Sequence, residues 1–175
     1  MSAKLKELLK TTFEHNNAKV LNEAFQSYLP KEWLDDNGLS TLILDGSPPF
    51  YDDFFQRLNN DCSDNFYIFS EPDDKDAYEG EVINFKFNSH EEFIDYAYEN
   101  YPRLMFNEYI VVNENFDLFF HVSDENITLV FGEKNKIEML FQTTVKDSQN
   151  EILECCDYRV AEAEYYWGKN WKSKI

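Results

Sequence analysis

Tyr109-Ile110-Val111-Val112-Asn113-Glu114-Asn115-Phe116-Asp117-Leu118-Phe119-Phe120-His121-Val122-Ser123-Asp124-Glu125-Asn126-Ile127-Thr128-Leu129-Val130-Phe131-Gly132 is the stretch whose reading decides the fold. With Glu108 at its front it holds three apolar runs at hairpin spacing: Glu108 to Val112, Leu118 to Val122 and Thr128 to Phe131. Their β-branched and aromatic side chains suit a pleated, packed surface. Asn113-Glu114-Asn115 and Ser123-Asp124-Glu125-Asn126 separate them, and Asn, Asp and Ser bond their own backbone in turns. The pattern predicts an antiparallel meander.

Upstream, Ser89-His90-Glu91-Glu92 has the form of a capping box, a polar signature that opens a helix. The helix predicted there places Phe93, Ile94, Ala97 and Tyr101 along one side and stops at Pro102. Before it, 65–70 and 82–87 read as strands on either side of an acidic loop, Glu71 to Glu81. Thr41-Leu42-Ile43-Leu44 predicts a short strand, bounded by turn signals at Asp35-Asp36-Asn37-Gly38 and Gly46-Ser47-Pro48-Pro49. Tyr51 to Leu58 predicts a short helix. Residues 4–29 carry apolar side chains near 3.6-residue spacing, which predicts N-terminal helices.

Downstream the periodicity is mixed. In 134–145, Ile137, Leu140 and Phe141 suit a helix while Thr143-Thr144-Val145 suits a strand. Residues 149–168 fit a terminal helix, and Tyr165-Tyr166-Trp167 fits a strand equally well. The fold class expected is α+β: N-terminal helices and one internal helix packed on an antiparallel β-sheet, in one domain over 1–175.

The chain has 34 acidic and 16 basic side chains, a formal net charge of −18. Residues 1–31 carry +2 and residues 169–175 carry +3, so 32–168 carries −23. Such a field repels nucleic acid and anionic membrane and speeds encounter with cationic proteins. Acidity also keeps a protein soluble without serving a partner. Aromatic content is high at 17%, with 16 Phe and 11 Tyr, so large rings carry the core. No apolar run approaches the roughly 18 residues of a membrane span. The opening residues lack the apolar centre of a secretion signal, which leads one to expect a cytoplasmic protein.

Catalytic chemistry finds little support. The motifs of P-loop, Rossmann, G-x-S-x-G and H-E-x-x-H proteins are absent, and five glycines leave few loops to cradle phosphate. His15, His90 and His121 are the only histidines. His90 sits in the capping box, at an exposed position, and His121 lies on the strand face opposite Phe120 and Val122. Cys62, Cys155 and Cys156 form neither an even disulfide set nor a C-x-x-C pair. No catalytic residue, metal ligand or cofactor is expected.

The loop Glu71-Pro72-Asp73-Asp74-Lys75-Asp76-Ala77-Tyr78-Glu79-Gly80-Glu81 is the candidate contact surface. It fails as a calcium loop: counted from Asp74, Tyr78 falls at a ligand position and Glu79 where the turn glycine belongs. Asp73, Asp74, Asp76, Glu79 and Glu81 would instead attract a basic protein partner, with Tyr78 as aromatic anchor. At the C-terminal end, Tyr165 to Lys172 mixes rings and cations. Docking on the core by its rings and an exposed, partner-binding Trp171 are both open readings. Carboxylates at Asp35-Asp36, Asp52-Asp53, Asp61 and Asp64 add the option of imitating a DNA backbone.

The stretch Tyr109 to Gly132, with Asp117 after its first turn, resembles hairpins of small bacterial immunity proteins. Those proteins neutralise toxins of contact-dependent inhibition and related polymorphic systems. Leu118 stands where an aromatic residue commonly follows the aspartate, and no family residue carries over as functional. The resemblance implies an acidic α+β protein of the bacterial cytoplasm that occludes the active site of a basic, nuclease-type toxin. The other classes in view are an adaptor or structural domain with incidental acidity, a DNA-mimic inhibitor and a carboxylate-based metal-dependent enzyme.

Overall fold

The computed structural model describes residues 29–70, 81–83, 85–100, 109–123 and 126–175. The N-terminal helices expected over 4–29 and the acidic loop expected over 71–81 lie outside the described residues, apart from Leu29 and Glu81. Six strands form one antiparallel sheet: β1 (Ser40–Asp45), β2 (Phe66–Ser70), β3 (Glu81–Ile83), β4 (Tyr109–Asn113), β5 (Leu118–Ser123) and β6 (Ile127–Gly132), in the order β1-β6-β5-β4-β2-β3. The predicted meander is β4-β5-β6, in register Val111↔Phe120 and Phe120↔Val130. Positive φ at Phe116 and Asn126 turns the chain between its strands. β1 pairs along β6 and becomes one edge of the sheet; β3 is the other.

Both faces of the sheet are covered, which is why β4, β5 and β6 are buried at every position and read as unbroken apolar runs. On one face lie α2 (Asp52–Asp61), α3 (His90–Glu99) and α4 (Lys134–Phe141). The core there is phenylalanine: Phe50, Phe54, Phe55, Phe66, Phe85, Phe93 and Phe120 interlock with centroids from 5.0 to 6.4 Å apart. That spacing is where edge-on and tilted ring pairs are favourable. On the opposite face α1 (Lys31–Asp36), α5 (Val145–Cys155) and α6 (Val160–Trp167) bury Leu34, Ile152, Ala163 and Tyr166 against Ile43, Leu129 and Phe131. Gly132 closes β6 where α4 comes nearest. A Cβ there would meet Ile137 Cγ2 at 2.6 Å, so only glycine fits without a shift.

The fold is α+β with an antiparallel sheet, as expected, but it holds more helix than one internal element. The ambiguous C-terminal third is helical. Thr144 accepts a bond from the Asp147 amide at 3.0 Å and Asp147 accepts from the Thr144 amide at 3.1 Å, so the residues that suggested a strand form a capping box. Tyr165-Tyr166-Trp167 belongs to α6, not to a strand. Trp171 is fully buried and its ring lies 5.3 Å from that of Trp167; the terminal element is docked by its rings, and Trp171 is not a contact residue. Of the strand expected over 82–87, Val82 and Ile83 pair in β3, while Phe85 and Phe87 lie outside any described strand and are buried in the phenylalanine core.

Candidate functional site

Of the sequence-expected contact residues, Asp73, Asp74, Asp76, Tyr78 and Glu79 lie outside the described residues. Glu81 opens β3, opposite Ile68 of β2 at the sheet edge. The acidic face that the structure does describe is carried by α2 and α3.

The α3 face follows from helical spacing. Phe93 and Ala97 turn inward, so Glu91, Glu92, Asp95, Tyr98 and Glu99 share the outward stripe, and all five are exposed. Ser89 holds the start, accepting from the Glu92 amide at 3.1 Å. The Glu92 carboxylate reaches back one residue further than the motif anticipates, accepting from the amide and side chain of Asn88 at 2.7 and 2.9 Å. No Lys or Arg lies on the helix, and Tyr98 is 60% exposed amid the carboxylates.

The stripe is joined to the start of α2. The His90 amide donates to Asp52 at 2.6 Å, and the His90 ring lies 2.8 Å from the Phe50 carbonyl, which leaves it half-buried, not exposed as anticipated. Tyr51, 55% exposed, lies 5.5 Å from the His90 ring. Arg57 on α2 is engaged: it bonds Asp53 at 2.8 Å and donates through Nε to the Leu140 carbonyl. That bond from Arg57 holds the Asp53 carboxyl below its ordinary value.

The distribution of charge along the helices is unusual in a second way. Each of the six α-helices among the described residues lacks a basic residue in its last turn. Each also carries a carboxylate there: Asp35 and Asp36, Asp61, Glu99, Glu138, Glu154 and Glu164. A helix C-terminus bears partial negative charge, so an anion there is unfavourable by roughly 0.3–1 kcal/mol at low salt. Solubility alone would be served as well by carboxylates at helix starts, where the dipole favours them.

A third acidic group ties α6 to β1. Tyr158 donates to Asp45 at 2.6 Å, Arg159 Nε to Asp45 at 3.0 Å and Arg159 Nη1 to Glu162 at 3.4 Å. Desolvation works to raise the Asp45 carboxyl, but the bonds from Tyr158 and Arg159 outweigh it and hold it below its ordinary value. The bond to Asp45 pushes the Tyr158 phenol up. On β4, the buried Asn113 amide donates to Asp64 and Asp117, both at 2.6 Å, while its carbonyl accepts from the amides of Asp117 and Leu118. Both networks employ their carboxylates in holding the fold. Among the described residues no group of three or more His, Cys, Asp or Glu is arranged to hold a metal ion.

His121 lies, as its alternation predicted, on the face opposite Phe120 and Val122, between Ile110 and Leu129. It is buried, and loss of water pushes its imidazole down to about 3. No helix among the described residues is long and apolar enough to cross a membrane. No protein-family model matches the chain, and no curated protein or solved structure matches it significantly.

Proposed function

We propose that this protein is a non-catalytic, acidic binding protein that captures a basic protein partner. In its narrower form the reading is an immunity protein that covers the active site of a nuclease-type toxin in the bacterial cytoplasm. The observation that carries it is the α3 stripe with the start of α2: Glu91, Asp95 and Glu99 around the exposed ring of Tyr98, with Tyr51 and Asp52 alongside. Tyrosine buries a large, stiff ring at low entropic cost, and carboxylates around it steer a cationic surface into place. The carboxylates at six helix ends support a use for the charge beyond solubility, because they are kept against the dipole.

The test is co-purification from the native host, followed by association kinetics at several salt concentrations. The association rate should fall steeply with salt, and Glu91→Lys with Asp95→Lys should slow association while Tyr98→Ala speeds dissociation. A rate indifferent to salt would remove the steering argument. For the narrower form, an adjacent frame encoding a secreted protein with a basic C-terminal toxin domain supplies the partner. Co-expression should then restore growth, and failure to protect excludes the immunity role while leaving capture itself open to the kinetic test.

A further inference from the structure

A cleft of about 260 Å³ opens beside the outer edge of β1. Leu34, Val145 and the ring of Trp167 wall it, and Lys31 and Lys134 stand at its rim. Its floor follows from how the edge strand is satisfied. Ile43 turns both backbone groups outward to the Ser148 hydroxyl, and Thr41, two residues away, turns the same way. The Trp167 indole donates to the Thr41 carbonyl at 3.0 Å. The Thr41 amide faces the cleft that Thr41 lines, and no acceptor for it stands among the described residues. An amide that faces a cleft with no protein acceptor is an open donor, and an oxygen ligand would give it a partner.

The cleft therefore presents a backbone donor, apolar and aromatic walls, the Lys134 ammonium, and the Lys31 ammonium paired with the Asp35 carboxylate. The Lys134 ammonium is 3.9 Å from Glu138 and mostly exposed, so it is free to turn. Lys31 is held by Asp35 at 2.7 Å and would be shared with that carboxylate. The volume lies just under the roughly 300 Å³ at which sites for drug-sized molecules begin. We propose that this cleft binds a small carboxylate carried on a flat apolar or aromatic body, its oxygens toward the Thr41 amide and Lys134 and its body against Trp167.

The experiment is a titration of the ¹⁵N-labelled full chain with benzoate, followed at the Thr41 amide and the Trp167 indole N–H. Benzyl alcohol and inorganic phosphate serve as controls that keep only the body or only the charge. Benzoate should give saturable shifts at both positions. Each control should bind at least about tenfold more weakly. Lys134→Gln, at an exposed position, should weaken benzoate about threefold or more and leave benzyl alcohol unchanged. Shifts that miss Thr41, equal binding of benzyl alcohol, equal binding of phosphate, or indifference to Lys134→Gln would each overturn the assignment.

Discussion

The hydroxyl of Ser148 on α5 donates to the Ile43 carbonyl at 2.6 Å and accepts from the Ile43 amide at 3.2 Å, so one side chain satisfies both outward groups of an edge-strand residue. Unpaired edge strands invite pairing with other chains, and here a helix closes the edge. Ser148 is wholly buried, which makes the arrangement energetically consequential.

Ser148→Ala should therefore cost more than a lost hydroxyl on a surface. It strands a buried donor and a buried acceptor together, each worth about 1–3 kcal/mol when left unmade. Urea unfolding should show a loss of about 2–4 kcal/mol with little change in slope. A loss under about 0.5 kcal/mol would mean that water replaces the hydroxyl at the edge.

His121 gives the stability a pH dependence whose sign is fixed by burial. Its folded value is about 3 against 6.5 for the free side chain, so the unfolded chain binds the extra proton. The contribution is fully present above about pH 6.5 and is lost as pH falls toward 3, with a slope of about 1.4 kcal/mol per pH unit between. Asp45 and Asp53, held low, add their own loss only as pH falls through the carboxylate range. Denaturation series at pH 7.5, 6.0 and 5.0 should show the slope, and His121→Leu should flatten it.

The meander and the capped helix were legible because their signals are local: turn residues at hairpin spacing and Ser89 three residues before Glu92. The C-terminal third was not, because Thr143-Thr144-Val145 has strand propensity while the Thr144–Asp147 pairing decides the structure. That T-x-x-D spacing was available as a signal. At Phe85 and Phe87 the two-residue alternation reported burial correctly and ladder pairing wrongly, since alternation records which side is covered and not what the backbone bonds. The α3 face was partly legible: Phe93 and Ala97 mark its apolar side, while its outward carboxylates are spaced among apolar residues and stand out less than the dense run at 71–81. Ser148 was invisible, because its partner lies 105 residues away.

Arg159 is the hinge of the buried ionic group between β1 and α6. Replacing it by Leu leaves the Glu162 carboxylate, 5% exposed, beside an apolar side chain. Breaking such a pair on one side costs about 3–5 kcal/mol, whereas replacing both partners is often near neutral. Arg159→Leu should thus lower the thermal midpoint sharply, and adding Glu162→Leu should recover most of the loss. Equal damage from the single and double variants would place the cost in Asp45 instead.

The carboxylates at helix ends separate a solubilising role from a binding one. Glu99→Lys at the end of α3 exchanges an unfavourable charge for one the dipole favours, and Asp61→Lys does the same on α2. Each should raise stability, by about 0.3–1 kcal/mol at low salt, with the gain shrinking as salt rises. If acidity served solubility alone, the stabilised variants would keep every interaction, since a single reversal leaves the chain strongly acidic. If α3 meets a cationic partner, Glu99→Lys should slow association severalfold at low salt while Asp61→Lys, away from the stripe, changes it little. Gain in stability with loss of association at one position and not the other is the outcome expected; parallel behaviour of the two variants would return the charge to a general role.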